Sequence, residues 1–244
     1  MDRRDTSVTL PWMAAGTELF VRALDALSDD ALREPSLLSG WSRAHVVGHV
    51  ARNAEALVRL ATWARTGVET PMYPSREYRA AEIESSAQKP ADVLRSELRT
   101  TAADLDAALG ALDASTWQAQ VKSALGRPIP AAELPWMRVR EVWLHAVDLD
   151  AGVSVADIDP GVVDALLDDA TGFLSKAEGC PAALLAPTDR DRTWPLGPPD
   201  HQVELRGEAA YVLGWLVGRT GAKGVEALGP DGAPAAVPSP PRWL

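Results

Sequence analysis

The chain is short of several things at once, and each shortage closes off a class of protein. One cysteine, Cys180, stands among 244 residues. No disulfide can form within the chain, which agrees with a reducing cytoplasm as its location. No run of about 18 apolar residues occurs, so no transmembrane helix is expected. The opening stretch, MDRRDTSVTLPWM, is charged and lacks an apolar segment long enough for a secretory signal. Positive charge is scarce too. The formal net charge is −10, which argues against nucleic acid as a partner, because binding phosphates needs a basic surface. The chain has no G-x-G-x-x-G, no P-loop, no G-x-S-x-G and no sustained repeat of 20–50 residues.

What is present is an ordinary globular composition, 46% apolar and 24% charged. Helical spacing dominates the first 150 residues. Phe20, Ala23, Leu24 and Leu27 predict a first helix over Thr9 to Ser28, with Pro11 tolerable only in its first turn. Ser42 is a good N-cap for a second helix ending near Thr66-Gly67, and Trp41 is placed to staple onto Val46. Ser75 caps a short helix that includes Tyr78, Arg79, Glu82 and Ile83. Pro90 opens a longer one with Leu94, Leu98, Thr101, Leu105, Ala108 and Leu112 on one face. Trp117 to Pro130 reads as a polar, turn-rich connection. A last long helix runs from Pro135 to about Asp150, with Val139, Val142, Ala146 and Leu149 as its apolar stripe. Four long helices imply a four-helix bundle.

After Gly152 the pattern changes. A helix is expected over Pro160 to Ala177, then short strands at Ala182 to Ala186, Arg192 to Leu196 and Gln202 to Leu205. Another helix follows over Glu208 to Arg219, and then a Pro-rich tail. The fold class is therefore mainly α, with a bundle over residues 1–152 and a small α/β C-terminal domain over 155–244.

Two helices carry chemistry. His49 and Asn53 fall inside the apolar stripe of the second helix, where each needs a polar partner or costs about 1–3 kcal/mol. Glu141 and His145 lie at i and i+4 on the last bundle helix, so both project from one face. A histidine facing a core is, taken alone, a core residue bonded to a neighbour. Two imidazoles and a carboxylate on two bundle helices are also a three-ligand set for a divalent metal. Zinc suits it, since catalytic zinc keeps a fourth position open. His45 competes with His49, being i−4 to it, but falls in the helix's first turn, nearer the bundle end. Asp148 either accepts the second N–H of His145 or is a solvated charge at a helix end.

Arg52, Arg79, Arg138 and Arg219 stand near apolar faces, and each alone is expected to reach solvent. Cys180 reads as a small structural residue and His201 as exposed. The nine tryptophans read as core or interface anchors.

These strings resemble a known family. WSRAHVVGHVARNAEAL, RTGVETPMYPS, RAAEIE, ELPWMRVREVWLHAVDLD and GWLVGR are similar to the mycothiol-dependent maleylpyruvate isomerases, which belong to the DinB-like metal-binding bundles. The similarity runs nearly end to end and is looser in the second domain. It implies a DinB-like bundle whose zinc ligands are His49, Glu141 and His145. It associates Arg79 and Arg219 with the active site. It further implies an enzyme with mycothiol as thiol cosubstrate; a cytoplasmic location is expected from the lone cysteine, and the sequence leaves the oligomeric state open, with a monomer favoured. Mycothiol thiolate would add to the cis double bond of maleylpyruvate, the new single bond would rotate, and elimination would give fumarylpyruvate. Arginines would hold the substrate's two carboxylates. Two alternatives share the metal site: a mycothiol S-transferase acting on another electrophile, and a non-catalytic protein whose bundle the metal stabilises.

Overall fold

The computed structural model describes residues 2–243; Met1 and Leu244, the outer ends of the two expected domains, lie outside them. The chain divides into two units, Met1–Val153 and Ser154–Leu244.

The first unit is a helical bundle. Helix α1 spans Thr6–Asp25 and α2 Arg43–Thr66. Helices α3, α4 and α5 cover Arg76–Ala87, Ala91–Gly110 and Leu134–Asp148. Helix α2 packs on α3, α4 and α5, and α1 packs on α5. The core lies where their apolar stripes meet, at Phe20, Leu57, Leu60, Leu98, Leu105, Val139 and Val142, all 1% exposed or less.

Helix α1 begins three residues before the expected Thr9, because the Asp5 side chain accepts from the Ser7 N–H and caps it. Pro11 is therefore inside the helix rather than in its first turn. Proline, lacking an N–H, cannot donate to the Ser7 carbonyl, and both residues lie on an exposed face of the helix. The caps at Ser42 and Ser75 form as the sequence indicates, and α2 stops at Gly67 in the left-handed conformation, φ 73°. The connection expected over Trp117 to Pro130 contains a hairpin instead. Strand β1, Gln120–Lys122, pairs antiparallel with β2, Pro128–Pro130.

In the second unit, α6 runs over Pro160–Leu174 and α7 over Ala209–Leu216. Strands β3 (Ala183–Leu185), β4 (Trp194–Leu196), β5 (Val203–Arg206), β6 (Glu226–Leu228) and β7 (Pro234–Ala235) form one sheet in the order β4-β3-β5-β6-β7. Only β3 and β5 are parallel. Ala183, Leu185, Trp194, Leu196, Leu205 and Ala227 are buried, the period-two pattern of a half-covered sheet. The end of the chain, expected as turn and Pro-rich tail, contains β7, which pairs with β6 as β6 pairs with β5. Gly207 permits this: a Cβ there would meet the Gly224 carbonyl oxygen at 2.2 Å. His201, expected to be exposed, is half-buried, and its Nε2 finds no hydrogen-bond partner among the described residues. Among those residues no helix is long and apolar enough to cross a membrane.

Candidate metal centre

Two arginine ties set how α2 meets α5. Arg43, in the first turn of α2, donates from Nε to the Leu149 carbonyl at 2.7 Å and from Nη2 to the Asp150 carbonyl at 3.1 Å. These are carbonyls at the C-terminal end of α5, which have no helical donor of their own and attract positive charge. Arg138 on α5 was expected to reach solvent like its fellows; it is 1% exposed. Its Nη1 donates to the Val50 carbonyl at 2.6 Å and to Asn53 Oδ1 at 2.9 Å, both on α2. That answers the question of what Asn53 does inside an apolar stripe. Burial lowers the Arg138 pKa to about 10, with Glu141, Asp106 and Tyr73 opposing.

Between these ties the three sequence-singled residues converge. His49 Nε2 lies 2.8 Å from Glu141 Oε2, and His145 Nε2 lies 3.2 Å from the same oxygen. The imidazole centroids are 4.8 Å apart at 88°. One ligating atom from each residue can be chosen so that all three lie within 4.8 Å of one another, the one such trio found among the described residues. Donors at about 2.0–2.1 Å from a tetrahedral zinc stand roughly 3.3 Å apart. The observed 2.8 and 3.2 Å are close to that spacing, and two nitrogens plus a carboxylate are the donor chemistry such an ion takes. The residues present therefore fit a divalent metal. Side-chain exposure rises from 5% at His49 and 11% at His145 to 23% at Glu141, the least covered of the three.

The electrostatics follow from burial and mutual contact. Burial alone would raise the Glu141 carboxyl, but the two imidazoles outweigh it and hold the group well below the usual carboxylate range. For His145, burial pulls downward while Asp148 and Glu141 hydrogen-bond and attract, and the net shift is upward. For His49 burial wins and the pKa is lowered, with Glu141 opposing. Asp148 is fully buried, not a solvated helix-end charge, and its Oδ2 sits 2.8 Å from His145 Nδ1. That contact holds a proton on Nδ1, so Nε2, which faces Glu141, is the nitrogen left to bind a metal.

His45 has other work. Its backbone N–H donates to Ser42 Oγ and its Nδ1 accepts from the Ser42 N–H, so it completes the N-terminal cap of α2, and its Nε2 lies 3.0 Å from Glu84. Trp41, expected to staple onto Val46, places its indole against the histidines: stacked on His45 at 6.2 Å and edge-on to His49 at 5.5 Å.

Arg79, on α3, brings Nη2 to 3.3 Å from His49 Nδ1. Helix α3 can approach α2 this closely because Gly48 has no Cβ; one there would stand 2.6 Å from Ser86 Cβ. Arg52 pairs with Glu55 at 3.0 Å and Glu97 at 3.1 Å, a structural network on the α4 side. Arg219 is in the second unit, just past α7, where its Nη1 donates to the Val217 carbonyl at 2.6 Å. Sequence reasoning missed the burial of Arg138 and the Arg43 ties. A basic residue at an N-cap's first helical position was the only available signal for the latter.

The family model described as "Mycothiol maleylpyruvate isomerase N-terminal domain" matches residues 13–150. A crystal structure of the mycothiol-dependent maleylpyruvate isomerase is 37% identical to this chain. It covers 96% of this chain and 95% of its own, with a TM-score of 0.89. The structure of a histidine-to-alanine mutant of the mycothiol-dependent maleylpyruvate isomerase is 36% identical over 96% of this chain and 95% of its own, with a TM-score of 0.88. Comparison with curated proteins gave no match. Identity at this level over nearly the whole chain, with the helical unit matched on its own, means that the chain belongs to the mycothiol-dependent maleylpyruvate isomerase family.

Proposed function

We propose that this enzyme converts maleylpyruvate to fumarylpyruvate with mycothiol as thiol cosubstrate, and that His49, Glu141 and His145 hold a divalent ion, zinc by its donor set. One observation carries the reading: two imidazoles and a carboxylate from two helices offer ligand atoms within 4.8 Å of one another. Such an ion, when bound, supplies the Lewis acidity that lets a thiol ionise near neutral pH. The chain's own thiol is no competitor, because burial pushes Cys180 up, away from its thiolate form. The nucleophile then comes from outside.

The protein's residues do the rest. Asp148 orients His145, and Arg43 and Arg138 keep α2 in register with α5. Arg79 carries a permanent positive charge 3.3 Å from His49, suited to hold a substrate carboxylate. For Arg219 the same role rests on sequence resemblance alone. The sulfur–carbon bond forms as the π pair of the alkene moves to the ketone oxygen. The former double bond, now single, rotates. The pair returns and expels the thiolate, so no proton or electron is consumed.

The test incubates the zinc-loaded protein with maleylpyruvate and either mycothiol or glutathione, and follows fumarylpyruvate. Turnover with mycothiol is expected, and His145→Ala should lose both metal and turnover. No turnover at full metal occupancy refutes the isomerase. A stable sulfur conjugate without isomerised product points instead to an S-transferase.

A further inference from the structure

The connection between α2 and α3 contributes no metal-binding side chain, yet it is tied down at several points. Thr70 Oγ1 donates to the Arg59 carbonyl at 2.7 Å. Arg59 donates from Nε and Nη2 to the Met72 carbonyl at 2.9 and 2.6 Å. The Met72 side chain is buried, and Pro71 and Pro74 restrict the backbone on either side of the Met72-Tyr73 pair. A connection built only to join two helices needs none of this.

What the ties hold in place is Tyr73. The guanidinium carbons of Arg59 and Arg79 lie 5.8 and 5.7 Å from its ring centre, within cation–π range. Arg79 is in turn the residue at His49 Nδ1, so one side chain separates the phenol from the metal centre. Tyr73 as a whole is half-buried, not sealed in the core. Burial raises the phenol's pKa, with Arg79 opposing through its charge and a hydrogen bond, and Glu141 close enough to add to the rise. The group therefore remains an O–H donor at neutral pH.

We propose that Tyr73 is a catalytic residue whose O–H donates a hydrogen bond to the substrate's ketone oxygen as negative charge gathers there. The role rests on the isomerase reading. When the thiolate adds, the displaced π pair comes to rest on that oxygen as an enolate, and it leaves again when the carbon–sulfur bond breaks. A donor held by a tied-down loop stabilises the enolate without reorganising and needs no proton transfer. Arg79 remains available for a carboxylate, the anion its planar fork matches.

Tyr73→Phe in the zinc-loaded full-length enzyme removes only the O–H and keeps the ring between its two arginines. The expected result is a fall in kcat of about 100-fold, with KM, metal content and melting temperature unchanged. A kcat within about threefold of wild type refutes the role. So does a raised KM at unchanged kcat, which would mean that Tyr73 only positions Arg79. Should the phenylalanine variant fail to fold, a fluorinated tyrosine placed at position 73 gives a more acidic phenol. The alkaline limb of kcat should then move to lower pH, and an unmoved limb overturns the proposal. Wild type run in parallel separates the two readings. An inactive wild type removes the isomerase and the role of Tyr73 together; an active wild type with an unaffected phenylalanine variant removes only the latter.

Discussion

Asp148→Asn isolates what the buried carboxylate contributes to metal binding. Asp148 Oδ2 stands 2.8 Å from His145 Nδ1, and the residue has no exposed surface, so salt screens the contact little. Asparagine keeps the shape and one acceptor oxygen but not the charge. Loss of a ligand's outer partner typically weakens metal affinity by about 10- to 100-fold. With geometry retained the lower figure applies, about 1.4 kcal/mol. The pH dependence is more diagnostic. In the metal-free protein burial lowers the His145 pKa, but Asp148 and Glu141 outweigh it and raise the net value. Below that raised pKa a proton competes with the metal for His145, so affinity falls as pH falls. Removing the Asp148 charge lowers the pKa and weakens that competition. The variant's deficit should therefore be largest near pH 8 and shrink toward pH 6. The assay is zinc titration against a chromophoric chelator across that range. Equal affinity at about pH 8, or a deficit that grows on acidification, refutes the reasoning.

Three further changes probe the frame around the centre. Arg79→Met should raise KM for the dicarboxylate by roughly 10- to 100-fold, the worth of a charged hydrogen bond of about 1.5–3 kcal/mol, with metal content unchanged by elemental analysis. Gly48→Ala sets a methyl 2.6 Å from Ser86 Cβ and must push α3 off α2. Overpacking of about 1–3 kcal/mol exceeds the helix-propensity gain of about 1 kcal/mol, so the urea midpoint should fall and activity with it. Arg43→Ala removes the donors at the end of α5. It should cost about 1.5–3 kcal/mol in chemical unfolding and weaken zinc binding in the same titration.

The elements that could be read from the chain are those whose signal is local. Helices α2, α4 and α5 each carry apolar residues at helical spacing over 15 residues or more, and the Ser42 and Ser75 caps act within one turn. Strands β1, β2, β6 and β7 are two or three residues long and lie in polar or Pro- and Gly-rich stretches, whereas the equally short β3 and β4 stand in apolar runs that mark them. Each of the first four exists only because its partner strand is folded up beside it. The same distinction divides the candidate site. The residue types and the Glu141–His145 spacing are properties of the sequence, as is the presence of two histidines, His45 and His49, on one face of α2. Periodicity does not choose between those two, since both satisfy it; only the place of His45 in the first turn of α2 favours His49 from the sequence.

The choice falls to the docking of α5, clamped by Arg43 at one end and Arg138 further along, which carries Glu141 to His49 and leaves His45 to the helix cap. The burial of Asp148 and Arg138 belongs to that docking as well. Their charges look like surface charges until a second helix covers them. Sequence by itself determined the rods and the chemistry each carries, because hydrophobic period and capping act within a few residues. Tertiary structure alone decided which side chains share a space, because that depends on the angle and register at which separate rods pack.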